Sequence, residues 1–281
     1  MRRPSATPDA TASEGEAERA TVAVPAALAS RLRAAGRIAV LTGAGISAES
    51  GIQTFRDADG LWSRFDPEKV ATRAAFRRDP AGVWSWYEER RRRMAEARPN
   101  AGHLALARME SLAARMTLVT QNIDGLHRAA GSRRVIELHG NIFRARCFDE
   151  DVVVDEPGAE AEGGGGQTPP RCPYCGGYVR PDVVWFGEML PMAAFQEALA
   201  SAQRCDVFLS VGTSGLVEPA ASLPFEALRA GALVVEVNPE PTPLTAHAAF
   251  VLSEPAGAAL PRLVRAAWPR DGAPPATGSA S

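Results

Sequence analysis

The sequence predicts an α/β protein, and two observations carry that reading. Five short apolar runs of β-type residues, at 37–42, 116–120, 135–138, 207–211 and 232–237, each end on glycine or polar residues. Between them lie stretches with helical periodicity, including 25–35, 81–97, 101–114 and 192–203. Strands alternating with helices imply βαβ units, and so a parallel sheet covered on both faces. The expected core is a Rossmann-like parallel sheet domain.

Two stretches break the alternation. Residues 54–95 read as a helical insertion. Residues 144–182 are irregular and acidic, with four consecutive glycines at Gly163–Gly166. A long irregular stretch in a compact domain is uncommon without a constraint of its own. The two insertions are expected to form one small module, zinc-ribbon-like in part and helical in part, on a domain spanning 23–270. Residues 1–22 and 271–281 read as disordered tails, the latter from its Pro, Ala, Gly and Ser content.

Bulk properties narrow the function. At 281 residues and 46% hydrophobic, the chain can bury a substantial core. A formal net charge of -2 supplies no global basic field for nucleic acid. No apolar run reaches the ~18 residues that span a bilayer. The N-terminal stretch has Arg2 and Arg3 but no apolar segment, and it carries Asp9, Glu14, Glu16 and Glu18, unlike a secretory or transit signal. Only two of the four cysteines, Cys172 and Cys175, are close in sequence, which is no disulfide framework. A cytoplasmic protein acting on neither membrane nor nucleic acid is expected.

The strand ends carry the chemistry. After the first run the chain reads GAGISAESGIQTFRDADGLW, from Gly43 to Trp62. Glycines there let backbone approach a pyrophosphate, and the N–H groups of the helix that follows suit an anion. The spacing Gly43, Gly45, Gly51 departs from the usual dinucleotide fingerprint, and a tight strand-to-helix turn would explain the glycines equally well. The second run ends in TQNIDGLH, the third in ELHG, the fourth in GTS (Gly212, Thr213, Ser214) and the fifth in NPE (Asn238, Pro239, Glu240). Five strand ends delivering such residues to one edge place a ligand site there.

Together with CPYC, VVWFGE and VNPEP, these motifs resemble the sirtuins, specifically bacterial deacylases of the class with desuccinylating members, over about residues 27–267. One departure is Gln53, where many relatives carry proline before Thr54-Phe55-Arg56. The resemblance implies an NAD-consuming protein-lysine deacylase that releases nicotinamide and O-acyl-ADP-ribose. NAD would be held by Gly43, Ala44, Gly45, Ser47, Ala48 and Glu49, with Phe55, Arg56 and Trp62 on the following loop. Gln121, Asn122, Ile123 and Asp124 would line the nicotinamide pocket. Gly212, Thr213, Ser214, Asn238, Pro239 and Glu240 would hold the adenosine end, with backbone contacts to adenine from Ala256 in a late turn. His139 would be the base that accepts a ribose hydroxyl proton, since a histidine of ordinary pKa, about 6.5, does this near neutrality.

Partners implied by the resemblance are acylated-lysine proteins, laid as an added strand on Val184, Phe186 and Gly187. Tyr87 and Arg90, three apart on one helix face, match the Tyr-x-x-Arg that binds an acyl carboxylate in desuccinylating members, and Ala71 matches a small residue leaving room for a longer acyl chain. The plain alternative is a solvated basic face, since Arg90–Arg93 is a run of four. Sirtuins usually hold structural zinc on two Cys-x-x-Cys pairs. Here Cys172 and Cys175 form one pair, while Cys147 stands alone, and Asp149, Glu150 or Asp151 is left to complete the site. His103 reads as a packed or capping residue, His127 as structural and Cys205 as core. An NAD-dependent ADP-ribosyltransferase on the same fold is the competing reading. A non-catalytic nucleotide-binding module fits less well, because pure binding needs no positioned base.

Overall fold

The computed structural model describes residues 23–54, 66–155 and 168–269. Helix α1 (Ala26–Ala34) leads into β1 (Ile38–Thr42) and a single helical turn, α2 (Gly45–Ala48). Helices α3 (Pro67–Val70), α4 (Arg73–Arg78), α5 (Pro80–Glu96) and α6 (Ala101–Leu112) follow, then β2 (Met116–Thr120), α7 (Leu126–Ala129) and β3 (Val135–Glu137). Three strands, β4 (Gly140–Cys147), β5 (Val153–Val154) and β6 (Val179–Val183), precede α8 (Met192–Arg204) and β7 (Val207–Val211). The chain continues through α9 (Leu223–Arg229), β8 (Leu233–Val237), β9 (Phe250–Leu252) and α10 (Ala256–Ala267).

The main sheet has the order β3-β2-β1-β7-β8-β9, every pairing parallel. With β4–β6 set aside, this is the 3-2-1-4-5-6 order of a Rossmann sheet. Strands β1 and β7 are buried along their whole length, which is why four of the five residues in each are apolar. Ile38 and Val40 pack on one face against Leu28 and Leu32 of α1, Leu106 and Met109 of α6, and Leu260 and Leu263 of α10. Ala39 and Leu41 pack on the other against Ala198 and Ala202 of α8 and Leu223 and Ala227 of α9.

Strands β5-β4-β6 form a separate antiparallel sheet. Its apolar residues join the helical insertion in a second core, where Phe76, Val83, Tyr87, Ile142, Phe148 and Trp185 pack together. Caps fix the insertion helices: Thr72 Oγ1 accepts from Ala75 N–H, and Asp79 accepts from Gly82 N–H with Pro80 opening α5. The structure differs from the sequence reading in several elements, β4 and β9 among them. The stretch read as irregular holds strands β5 and β6, and the late turn around Ala256 is the first turn of α10. Among the described residues no helix is long and apolar enough to cross a membrane.

Candidate active site

Because the sheet is parallel and in register, its central strands end level. Thr42 stands opposite Thr120 and Val211, Val211 opposite Val237, and Thr120 opposite Glu137. The residues that follow, Gly43, Gln121, Gly212 and Asn238, reach the same edge and, with His139, line one cavity of about 1480 Å³. It opens over β1 and β7, where the strand order reverses, the place where open α/β sheets take ligands.

The glycines are there for a reason the sequence concealed. A Cβ on Gly43 or on Gly45 would lie 2.8 Å from Gly212 O, and one on Gly212 would lie 2.5 Å from Ile46 N. The loops after β1 and β7 touch backbone to backbone. Gly45 N–H donates to Gly212 O, Ile46 N–H to Gly43 O and Ser47 N–H to Ala44 O. This corrects the expectation that the N–H groups opening α2 stand open to an anion: these three are spent within the chain. Gly43, Ala44, Gly45 and Ala48 remain on the cavity wall.

The loop after β2 splits in two. Gln121, Asn122 and Ile123 line the cavity. Gln121 Nε2 donates to Thr213 Oγ1 at 2.9 Å, and Asn122 Nδ2 donates to Gly43 O at 3.0 Å and Ser47 Oγ at 3.1 Å. Asp124, expected on the pocket wall, is instead buried behind it, accepting from Ser47 Oγ at 2.7 Å and Leu126 N–H at 2.9 Å. Burial raises its carboxyl pKa. Ser47 is buried with it, so both reach the cavity through Asn122.

His139 stands between β3 and β4 with Nδ1 2.9 Å from Gln121 O. A carbonyl only accepts, so Nδ1 carries the proton and Nε2 is left as a base. Burial holds the imidazole pKa below its ordinary value, and the Gln121 contact opposes this in part. The ring is therefore neutral at pH 7. His103 and His127 serve the fold. Nδ1 of His103 accepts from Asn100 N–H in a capping box at the start of α6, and His127 Nε2 lies 2.8 Å from Thr42 Oγ1. Burial pulls them down to about 4 and about 3 respectively. His247 packs edge-on against Phe225. Cys205 is buried, as expected of a core residue.

Helix α5 sorts its charges. Val83, Tyr87 and Met94 are buried, and Arg90 falls on the same side by the 3.6-residue period. Tyr87 and Arg90 line the cavity, as does the buried Ala71. Arg90 sits over Trp86, 4.9 Å from the ring centroid, and burial lowers its pKa. The rest of the arginine run goes elsewhere. Arg91 Nε donates to Ile142 O at 2.8 Å, and Arg92 and Arg93 pair with Glu89 in solvent at 3.0 and 2.8 Å. A solvated basic face thus describes Arg92 and Arg93 but not Arg90.

Other expected residues fall as follows. Ser214, Pro239, Glu240 and Ala256 line the cavity, as does Glu49, whose Oε2 accepts Gly257 N–H at 2.7 Å at the start of α10. Val184, Phe186 and Gly187 border it, but Val184 N–H donates to His139 O, Trp185 N–H to Glu188 Oε2 and Phe186 N–H to Ala71 O. These N–H groups are already committed, so a substrate strand on this segment cannot use them. Phe55, Arg56 and Trp62 lie outside the described residues. Sequence reasoning missed Trp86, Trp185 and an exposed apolar rim of Met189, Met192 and Leu216 beside Phe186. The adjacency of Trp86 to Tyr87 was the available signal for the first.

In the small module, Sγ atoms of Cys147, Cys172 and Cys175 lie within 4.8 Å of one another, Cys147 and Cys175 at 3.4 Å. Thiolates at about 2.3 Å from a tetrahedral zinc are spaced in this range. Glu150 N–H points at Cys147 Sγ at 3.4 Å. A Cβ on Gly177 would meet Asp149 Oδ2 at 2.2 Å and Cys175 Sγ at 3.3 Å, so the Asp149 carboxylate lies on the Cys175 side of the cluster. Asp151 is turned to Arg146 at 3.4 Å and Arg73 at 3.9 Å. The donor set fits zinc.

Known proteins resemble the chain along most of its length. The family model described as Sir2 family matches residues 43–219. An NAD-dependent protein deacylase 1 of Pseudomonas aeruginosa is 52% identical over 244 residues, covering 85% of this chain and 97% of its own. A solved Sir2 homologue–NAD complex is 43% identical with a TM-score of 0.78, covering 86% of this chain and 93% of its own. A Sir2 variant solved with deacetylated p53 peptide and 3′-O-acetyl ADP ribose is 32% identical, with a TM-score of 0.76 over 85% of this chain and 96% of its own.

Proposed function

The chain belongs to the Sir2 family and is an NAD-dependent protein-lysine deacylase, and from that premise we propose that it prefers short acyl groups ending in a carboxylate, succinyl and malonyl, over acetyl. One observation carries the preference: Arg90 lies with Tyr87 on the cavity side of α5, while Arg92 and Arg93 of the same run face solvent. The planar guanidinium fork matches a carboxylate in two hydrogen bonds.

The rest of the cavity accommodates the reaction. NAD supplies an electrophilic ribose carbon as nicotinamide departs. Asn122, clamped by Gly43 O and Ser47 Oγ, holds the nicotinamide side, and His139 Nε2 takes the proton from a ribose hydroxyl. The loops after β7 and β8 hold the adenosine end. The exposed apolar rim of Phe186, Met189, Met192 and Leu216 receives the peptide around the acyl-lysine.

The test is to measure kcat/KM for succinyl-, malonyl- and acetyl-lysine forms of one peptide by mass spectrometry, with and without NAD. The expected outcome is NAD-dependent turnover with the succinyl form at least about tenfold ahead of acetyl, as one charge-assisted hydrogen bond allows. Equal or faster deacetylation removes the acyl preference and leaves the deacylase.

Cys147, Cys172 and Cys175 would hold a structural zinc, which ties β4 and the 172–175 turn together and takes no part in the chemistry. Purified protein is expected to contain about one zinc per chain, and a strong chelator to lower its melting temperature. Negligible zinc in folded, active protein would show that three thiols and a carboxylate do not retain the metal here.

A further inference from the structure

Trp185 lies between the cavity and the second core, and its contacts hold it rigidly. It is almost fully buried. Arg180 stacks on its ring at 3.9 Å and pairs with Glu188 at 2.7 and 2.9 Å, while Glu188 Oε2 accepts Trp185 N–H at 2.8 Å. Phe76 packs on the ring from the insertion helices, with centroids 5.5 Å apart. From this fixed position the indole Nε1–H donates to Tyr87 Oη at 2.9 Å.

The direction of that bond is forced. An indole nitrogen is a donor only, so the Tyr87 oxygen must be the acceptor. The phenol's own hydrogen is thereby turned away from Trp185. Both rings border the cavity, and Arg90, one turn along α5, borders it with them. The phenol stays protonated at any working pH, because burial pushes it up to about 12.

We infer that Trp185 is a positioning residue for acyl selection: by occupying a lone pair of Tyr87 Oη, it commits the phenolic hydrogen to an anionic acyl group lying between Tyr87 and Arg90. This rests on the proposed preference for acyl carboxylates. An acetyl group carries no such acceptor, so the positioning matters only for acidic acyl groups. Without the indole donor the hydroxyl can rotate, and its hydrogen is shared among several directions.

The test compares Trp185→Phe with Tyr87→Phe and the double variant, using succinyl- and acetyl-lysine peptides. Trp185→Phe keeps a ring for Arg180 and Phe76 but removes the N–H. It is expected to raise KM and lower kcat/KM for the succinyl peptide by about three- to tenfold, the scale of one hydrogen bond, with deacetylation unchanged. In a Tyr87→Phe background the same change is expected to cost nothing further on the succinyl peptide. Equal losses on both peptides, or an undiminished loss without the Tyr87 hydroxyl, would overturn the positioning role while leaving the acyl preference standing. A wild type with no succinyl preference would overturn both. Should Trp185→Phe fail to fold, Tyr87→Phe alone still decides: one of the five tryptophan indole N–H resonances must shift and exchange faster with solvent, and five unmoved signals overturn the bond.

Discussion

Replacing His139 with alanine is expected to lower the deacylation rate by about 100- to 10,000-fold, the range of a positioned general base, while NAD still binds. The expectation rests on one contact. Gln121 O fixes the proton on Nδ1 and leaves Nε2 unprotonated at the cavity wall. NAD affinity, read by calorimetry, should change little, because the loops after β1, β7 and β8 supply most of the cofactor wall. The pH dependence gives a second readout. Burial holds the His139 pKa below its ordinary value, so the base is free above that value and protonated below it. Wild-type kcat/KM should therefore be level through neutrality and fall only on a limb below about pH 6.5. That limb should be missing from the residual activity of the alanine variant. Turnover within tenfold of wild type would assign the proton transfer to another group.

Replacing Arg90 with methionine is expected to lower desuccinylation kcat/KM by about 10- to 100-fold. Hydrogen bonds to charged groups contribute about 1.5–3 kcal/mol, at about 1.4 kcal/mol per decade of rate. Deacetylation should hold steady or improve slightly, because an apolar side chain of similar length then lines the pocket beside Trp86. The ratio of the two efficiencies is the decisive quantity. If both fall together, Arg90 supports the packing of α5 and is not the group that reads the carboxylate. Methionine is the replacement of choice because it keeps a side chain of similar length over Trp86, where Arg90 lies, and a shorter one would add a cavity cost to the measurement.

Much of the catalytic domain was legible in the residues themselves. Strands β1, β2, β7 and β8 stood out because strands covered on both faces are mostly apolar, and their ends could be located to within a residue. A parallel, in-register sheet then brings those ends to one edge, so Gly43, Gln121, His139, Gly212 and Asn238 could be assigned to a common site without coordinates. The edge strand β9 has three residues, two of them only partly buried, and is too short to register as a run. Strand β4 begins on the glycine after His139 and exposes Phe143 and Arg144 midway, which hides its periodicity.

What the sequence by itself determined was the inventory at the carboxyl edge, because strand patterning and strand direction are local properties. Only the tertiary structure decided how that inventory is used. Gly43 and Gly45 are glycine because the Gly212 backbone presses against them, a contact made across more than 160 residues of chain. Arg90 was set apart from Arg92 and Arg93 in sequence only by its spacing from Tyr87, with a solvated basic face left open for the whole run, and the docking of α5 turns Arg90 to the cavity and leaves the other two in solvent. The acids near Cys147 were equivalent until the turn at Gly177 brought Asp149 beside Cys175. A side chain's environment is set by which surfaces meet, and that depends on residues far away in the chain.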